Sequence, residues 1–268
     1  MLKLTMKMKK TGLFKSVATA AVSLWLLLVA CAPSAQARTY TTETLNYQIV
    51  YHWGLIWKHA GNAQLTVNRT ADGNYASQLV ARTRSWAEKI YKVRDTLKVT
   101  MNPDFTPIRY DKITHEKSYF AHDIVKFSYA DGKTTGQCTR NRKNKPTVNI
   151  TLQSPGKAYD MLSVFYMLRN LDFEQIPVGK TYTTTIFSGK TKETLTLTYK
   201  GVQNIKLRDG SKHNAFHIQF SFTQDGRKKS SDDLDTWLST GEARVPLMFV
   251  GKLPIGEVRC YLGGTLND

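Results

Sequence analysis

Thr44-Leu-Asn-Tyr-Gln-Ile-Val-Tyr-His52 and Ala60-Gly-Asn-Ala-Gln-Leu-Thr-Val-Asn68 decide the fold of this chain. Apolar and polar side chains alternate in both stretches, which is the period of a strand with one buried face. Similar stretches recur along the chain, and tight-turn pairs separate many of them: Asp72-Gly73, Asp131-Gly132, Asp209-Gly210 and Asp225-Gly226. Short strands joined by such turns predict an antiparallel sheet. A doubly wound parallel sheet is excluded, because strands do not alternate with helices.

One segment departs from the strand pattern. Between 157 and 172 the apolar side chains follow helical spacing, at Met161, Leu162, Phe165, Leu168 and Leu171. We therefore predict a mostly β fold, built as a large, antiparallel, strongly curved sheet or an open half-barrel, with one main α-helix over about 157–172 packed on it. The helix either belongs to the core or covers the concave sheet as a plug or lid.

The first 37 residues have the composition of a secretory signal peptide. Lysines precede an apolar run from Ser16 to Ala30, and small residues follow it. The run is shorter than the roughly 20 residues of a bilayer span. Cleavage after Ala37 is the preferred expectation, although Leu28-Val-Ala-Cys31 also resembles a site for lipidation of Cys31. We expect export to the periplasm or outer membrane, with 38–268 as a single β-rich domain whose two strand groups could join near 173–180.

Charge narrows the range of partners. The chain carries a net charge of +17, and the first 37 residues hold five lysines without Asp or Glu, so the rest carries +12. A basic surface favours anionic partners such as lipid head groups, lipopolysaccharide or acidic glycans. Nucleic acid is not expected, because the chain has an export signal and none of the usual nucleic-acid-binding motifs. Whether Cys138 and Cys260 form a disulfide in an oxidising compartment stays open.

No sequence motif identifies a reaction. His213 and His217 would suit a metal on a helix, but Ala215 to Phe222 alternates as a strand, which places the two rings roughly 13 Å apart. Neither Gly-x-Ser-x-Gly nor His-Glu-x-x-His occurs. We predict no catalytic residue, no metal site and no cofactor. A glycosidase would need two paired carboxyl groups, and the candidates are Glu43, Asp95, Asp111, Glu116, Asp123 and Glu193.

Several segments together resemble a known family. These are Tyr51-His-Trp-Gly-Leu-Ile-Trp-Lys-His-Ala-Gly-Asn-Ala63, Ile90-Tyr-Lys-Val-Arg-Asp-Thr96, Asp160-Met-Leu-Ser-Val-Phe-Tyr-Met-Leu-Arg169, Trp237-Leu-Ser239, Arg244-Val-Pro-Leu247 and Pro254-Ile-Gly256. Their order over roughly 43–264 resembles the exported bacterial domain-of-unknown-function family number 3108. The resemblance implies an exported β-rich domain of Gram-negative bacteria, and it supplies no activity and no catalytic residues.

Three functions fit these observations. The first is non-enzymatic binding of an amphipathic or anionic ligand in the concave sheet. The alternatives are a glycan-binding or glycan-acting envelope protein and a scaffold or assembly factor for another envelope protein. Peripheral membrane contact suits all three, and the oligomeric state is not fixed. The candidate ligand-binding residues are Trp53, Trp57, Tyr91, Arg94 and Arg169, and we expect Asp95 to be the acidic partner of Arg169.

Overall fold

The sheet contains nearly all of the regular structure. The computed structural model describes residues 39–89, 92–224, 234–253 and 255–263. Within them fifteen strands form one sheet. The strands are β1 (Thr42–Trp53), β2 (Ile56–Arg69), β3 (Tyr75–Thr83), β4 (Arg94–Met101), β5 (Pro107–Glu116), β6 (Tyr119–Ala130), β7 (Lys133–Arg142), β8 (Lys145–Pro155), β9 (Ala158–Tyr159), β10 (Thr181–Phe187), β11 (Lys192–Lys206), β12 (Lys212–Gln224), β13 (Leu234–Ser239), β14 (Pro246–Lys252) and β15 (Glu257–Leu262).

The order of strands is a meander that curls until its edges approach. Along the sheet the order is β8-β7-β6-β5-β4-β3-β2-β1-β15-β14-β13-β12-β11-β10-β9. Neighbours are antiparallel, except that β9 runs parallel to β10. Alternation fixes the register, so that Tyr47 of β1 lies opposite Ala63 of β2 and Leu262 of β15. The predicted curved antiparallel sheet is confirmed, as a nearly closed, barrel-like structure.

Contacts between β7–β8 and β10 bring the two edges together. Ser154 Oγ donates a hydrogen bond to Thr185 Oγ1 over 2.8 Å. Gly136 lies against the ring of Phe187, where an added Cβ would sit 2.6 Å from a ring carbon. A side chain at position 136 would therefore displace Phe187.

The helices are short. They are α1 (Ser85–Glu88) and α2 (Ser163–Arg169). Helix α2 therefore covers only the central part of the helix predicted over 157–172. Its beginning is different because Ala158 and Tyr159 hydrogen-bond to β10 as a strand. The turn before α2 is held by Asp160, whose Oδ1 accepts the backbone N–H groups of Leu162 and Ser163 over 2.7 and 3.0 Å.

Helix α2 packs inside the concave sheet as part of the core. Leu162 and Tyr166 belong to one apolar cluster, and Val164 and Leu168 belong to a second. Of the residues predicted to face the sheet, Leu162 and Leu168 are buried, whereas Met161, Phe165 and Leu171 are partly buried. Tyr166 and Ser77 of β3 share a buried hydrogen bond of 2.8 Å. The helix is thus anchored to the sheet by packing and by a polar contact.

Both cysteines in the described residues are free thiols, so no disulfide joins Cys138 to Cys260. Burial raises the pKa of Cys138 to about 11 and that of Cys260 to about 12. Both thiols are therefore protonated at neutral pH and react slowly. No helix in the described part of the chain is long and apolar enough to cross a membrane.

Candidate functional site

A cavity lies between α2 and the inner face of the sheet. Its volume is about 240 Å³ and its surface is apolar. Strands β1 to β3 form one wall, and the helix forms the facing wall. The lining residues are Tyr47, Ile49, Ala63, Leu65, Leu79, Ala81, Leu162, Phe165, Tyr166, Arg169, Leu234, Pro246, Phe249 and Cys260. The interior of the curved sheet is therefore not completely filled by side chains.

Arg169 lies in the cavity wall and is held by an ion pair. Its side chain is 1% exposed and donates hydrogen bonds of 2.7 and 2.8 Å to the two carboxylate oxygens of Glu43. A third bond of 2.8 Å goes to the backbone carbonyl of Ala243. The guanidinium also lies 4.5 Å from the ring centre of Tyr40. Burial acts to lower the pKa of Arg169, but the hydrogen bonds to Glu43 and the charge interactions with Tyr40, Glu43 and Tyr166 together raise it.

The expected pairing of Arg169 with Asp95 is wrong. Asp95 lies on β4 and accepts the backbone N–H of His115 over 2.9 Å. The pairing with Glu43 could not be predicted from sequence spacing, because Glu43 lies 126 residues before Arg169. The sequence did indicate that Glu43 faces inward. It precedes the inward-facing Tyr47 and Ile49 of β1 by an even number of residues, which places its side chain on the same face. A charged residue at a core-facing position requires a buried partner.

The other candidate ligand residues lie elsewhere. Arg94 is exposed and donates to Glu88 of α1 over 2.9 Å. Trp53 and Trp57 lie at the exposed β1–β2 turn, where the Trp57 ring stacks on His52 at 3.6 Å between centres. Tyr91 lies outside the described residues. Trp53, Trp57 and Arg94 therefore do not line the cavity that Arg169 lines.

A second concave surface lies near the β7–β8 turn. It is a cleft of about 690 Å³ whose walls combine aromatic and basic side chains. Its aromatic and cationic lining residues are Tyr119, Phe120, Arg140, Arg142, Lys143, Lys145 and Lys190. Arg142 forms an ion pair with Asp123, to which it donates a hydrogen bond of 2.7 Å. The three lysines of this cleft are exposed.

Glu43, Asp95, Asp111, Asp123 and Glu193 all accept hydrogen bonds. Asp111 accepts hydrogen bonds from Arg109 and His122, which lower its pKa against the opposing effect of burial. Glu193 accepts the hydroxyl of Ser188 over 2.7 Å. The described residues contain no group of three His, Cys, Asp or Glu side chains that could hold a metal ion. His213 and His217 lie on β12, as the alternation predicts.

Sequence reasoning missed the aromatic residues that surround the ion pair. Tyr40 meets Phe105 and Tyr166 edge-on, with ring centres 5.7 and 5.6 Å apart, and Phe105 stacks on Tyr166 at 6.1 Å. Phe105 adopts a positive φ of 62° in the β4–β5 turn, which aims its ring into the barrel. Turn residues are ordinarily polar, so no local pattern marks this phenylalanine as a core residue.

The fold resembles a solved structure. A crystal structure from Brucella abortus, described as a beta-barrel-like protein of domain of unknown function DUF1849, matches with a TM-score of 0.60 and 15% sequence identity. The match covers 85% of this chain and 97% of that chain, and it shows the fold alone. The comparison with curated proteins finds no match. The sequence model of the family Protein of unknown function (DUF3108) matches residues 46–263, and this chain therefore belongs to that family.

Proposed function

We propose that this chain is an exported cell-envelope protein that binds the apolar part of an amphipathic ligand in the cavity beneath α2. The observation that carries the proposal is the apolar cavity of about 240 Å³ between α2 and the inner face of the sheet. An engineered apolar cavity of roughly 150 Å³ stays dry and binds benzene. Pockets for drug-sized ligands usually hold roughly 300–1,000 Å³. The cavity therefore has room for a ring or a short hydrocarbon segment.

The expected affinity follows from the hydrocarbon that fits. Each buried methylene contributes roughly 0.8 kcal/mol, so about six would contribute roughly 5 kcal/mol before the cost of ordering the ligand. Binding through the cavity alone is therefore weak, and a Kd in the high micromolar to millimolar range is expected. Polar contacts of the ligand outside the cavity would tighten it.

A pair of matched variants tests the cavity. Ala81→Leu adds a side chain to a residue that lines it. Ala76→Leu makes the same change five positions earlier on β3, where the odd spacing places the side chain on the other face of the sheet. We expect octanoate to bind to the wild type and to Ala76→Leu, and binding to Ala81→Leu to be lost.

Titration calorimetry or saturation-transfer NMR at millimolar octanoate would measure this. Equal binding by all three proteins, or by none, would contradict a ligand in the cavity. Binding of an acidic glycan that Ala81→Leu leaves unchanged would favour the glycan-binding alternative. A separate measurement concerns export: the intact mass of protein from the periplasm should correspond to a chain that begins at Arg38 or at a lipidated Cys31. A chain that retains residues 1–30 would contradict export.

A further inference from the structure

The two ends of the barrel differ in net charge. In a sheet of antiparallel neighbours, successive turns lie alternately at the two ends. The turn between β1 and β2 therefore lies at the same end as the β5–β6, β7–β8, β10–β11 and β14–β15 turns. The β2–β3, β4–β5, β6–β7 and β11–β12 turns lie at the opposite end.

At the described turns of the first end the lysines are exposed and the carboxylates are at least partly buried, whereas at the second end exposed aspartates offset exposed lysines. Exposed lysines occupy or flank the turns of the first end, which we call the basic end: Lys58, Lys117, Lys143, Lys145, Lys190 and Lys252. The four turns named for the opposite end each carry an exposed aspartate (Asp72, Asp104, Asp131 and Asp209), which offsets neighbouring lysines such as Lys133, Lys206 and Lys212. The positive charge of the surface is therefore concentrated where the β1–β2 turn projects.

Two neighbouring hairpins at the basic end expose large apolar side chains. Together they form the apolar tip, which consists of Trp53, Leu55, Ile56, Trp57, Leu253 and Ile255. Leu55 is 100% exposed, Ile255 63% and Trp53 54%. The apolar tip holds six of the thirteen large exposed apolar side chains among the described residues. Such a concentration at two turns marks an interaction surface.

The tip is held in place by contacts between its two hairpins. His52 of β1 pairs with Trp57 of β2 and with Glu257 of β15. Tyr51 Oη donates a hydrogen bond of 3.1 Å to the carbonyl of Ile255. The Arg259 guanidinium lies 5.0 Å from the Trp57 ring centre. Because both hairpins continue into the sheet, the exposed side chains are presented on a rigid support.

We propose that the basic end docks onto the surface of an anionic bilayer, with the apolar tip inserted at the level of the head groups. Tryptophan suits this interface, because its ring is apolar and its N–H group needs a polar partner. Lysines around the tip match the negative potential of anionic lipids. The tip projects from two turns, so it suits a deformable lipid surface better than a peptide or a helix.

Docking at this end would also bring the cavity close to the bilayer. Ile49 lines the cavity and precedes Trp53 by four residues on β1, a distance of roughly 13 Å along the strand. Bilayer docking does not require the cavity to be filled. Ala81→Leu should therefore keep vesicle binding even where it abolishes octanoate binding, which separates the two proposals.

The test places a polarity-sensitive dye at each end of the full-length chain. Leu55→Cys carries it on the apolar tip, and Ala71→Cys carries it in the β2–β3 turn at the opposite end. A background of Cys31→Ser and Cys260→Ser, together with the buried state of Cys138, confines labelling to the introduced thiol. On vesicles of phosphatidylcholine with about 30% phosphatidylglycerol, the Leu55→Cys dye should brighten several-fold and shift to the blue. The Ala71→Cys dye should not change.

Charge variants make the test quantitative. Replacing Lys58, Lys143 and Lys190 by Gln should weaken vesicle binding about 100-fold, at about 5-fold for each lysine. Replacing Lys133, Lys206 and Lys212 by Gln removes the same charge from the opposite end and should have little effect.

Three results would overturn the proposal. They are an unchanged Leu55→Cys dye, an equal response of both dyes, and equal losses from both lysine sets. Brightening of the Leu55→Cys dye with protein concentration in the absence of vesicles would assign the tip to contact between copies of the chain. That result would also overturn bilayer docking.

Discussion

Replacing Glu43 by Ala would show how far the barrel depends on the ion pair beside the cavity. The change removes the acceptor of two charge-assisted hydrogen bonds, of 2.7 and 2.8 Å, from Arg169. The guanidinium of Arg169 stays buried and keeps its hydrogen bond to the backbone carbonyl of Ala243. The face of the Tyr40 ring offsets only part of that loss.

The magnitude follows from burial. Removing one partner of a buried ion pair costs about 3–5 kcal/mol, because the other charge stays in the interior. Glu43 is 19% exposed, so water can enter where its side chain was, and we expect the lower part of that range. The double variant Glu43→Leu with Arg169→Met removes both charges and should cost less than Glu43→Ala alone.

Urea unfolding at neutral pH, followed by circular dichroism, would measure these free energies. Glu88→Ala is the matched control, because it breaks the exposed Glu88–Arg94 pair on the surface and should cost less than about 1 kcal/mol. If Glu43→Ala costs no more than Glu88→Ala, the ion pair does not stabilise the core as argued here. A double variant that is as unstable as Glu43→Ala would show that the loss is one of packing and not of charge.

Three further predictions concern α2 and the cavity. Phe165→Ala should cost about 3 kcal/mol in urea unfolding, because Phe165 packs on Phe220 and Phe249; a loss under about 1 kcal/mol would show that α2 is a mobile lid. Burial raises the pKa of Asp160 from 3.8 to about 6, so stability should fall as pH rises from about 4 to about 6. Asp160→Asn should remove about 2–3 kcal/mol of that fall, and an equal pH dependence of both proteins would contradict this. Cys260 lines the cavity, so octanoate should slow its modification by maleimide in the absence of denaturant and leave that of Cys138 unchanged, as mass spectrometry of the adducts would show.

The strands could be predicted because their information is local. Alternation around Leu45, Tyr47 and Ile49 fixes which face of β1 is buried, whatever its neighbours are. The same pattern placed His213 and His217 on a strand and thereby argued against a shared metal ion. The curvature of the sheet also follows from long antiparallel strands, since such sheets twist.

The length of α2 could not be predicted from its periodicity. Met161 to Leu171 has helical spacing, but Ala158 and Tyr159 precede it and find backbone partners on β10. A pairing with a strand more than twenty residues later is a property of the closed sheet. The cavity is likewise non-local, because Ala63, Ala81 and Phe165 come from three elements and leave a space only when these have packed.

The charge difference between the two ends is partly present in the sequence. Within β1 to β8 each strand pairs antiparallel with the next, so Asp72, Asp104 and Asp131 must share one end, and Lys117 and Lys143 must share the other. The alternation of turns between the two ends cannot be followed past β8, because β9 is parallel to β10 and α2 lies between them in the chain. Only the pairing of β1 with β15 orients the second half of the sheet. That pairing places Lys190 at the end that holds Lys117 and Lys143, and Asp209 at the end that holds Asp72, Asp104 and Asp131. The difference in charge between the two ends therefore extends over both halves of the barrel only because β1 and β15 join them.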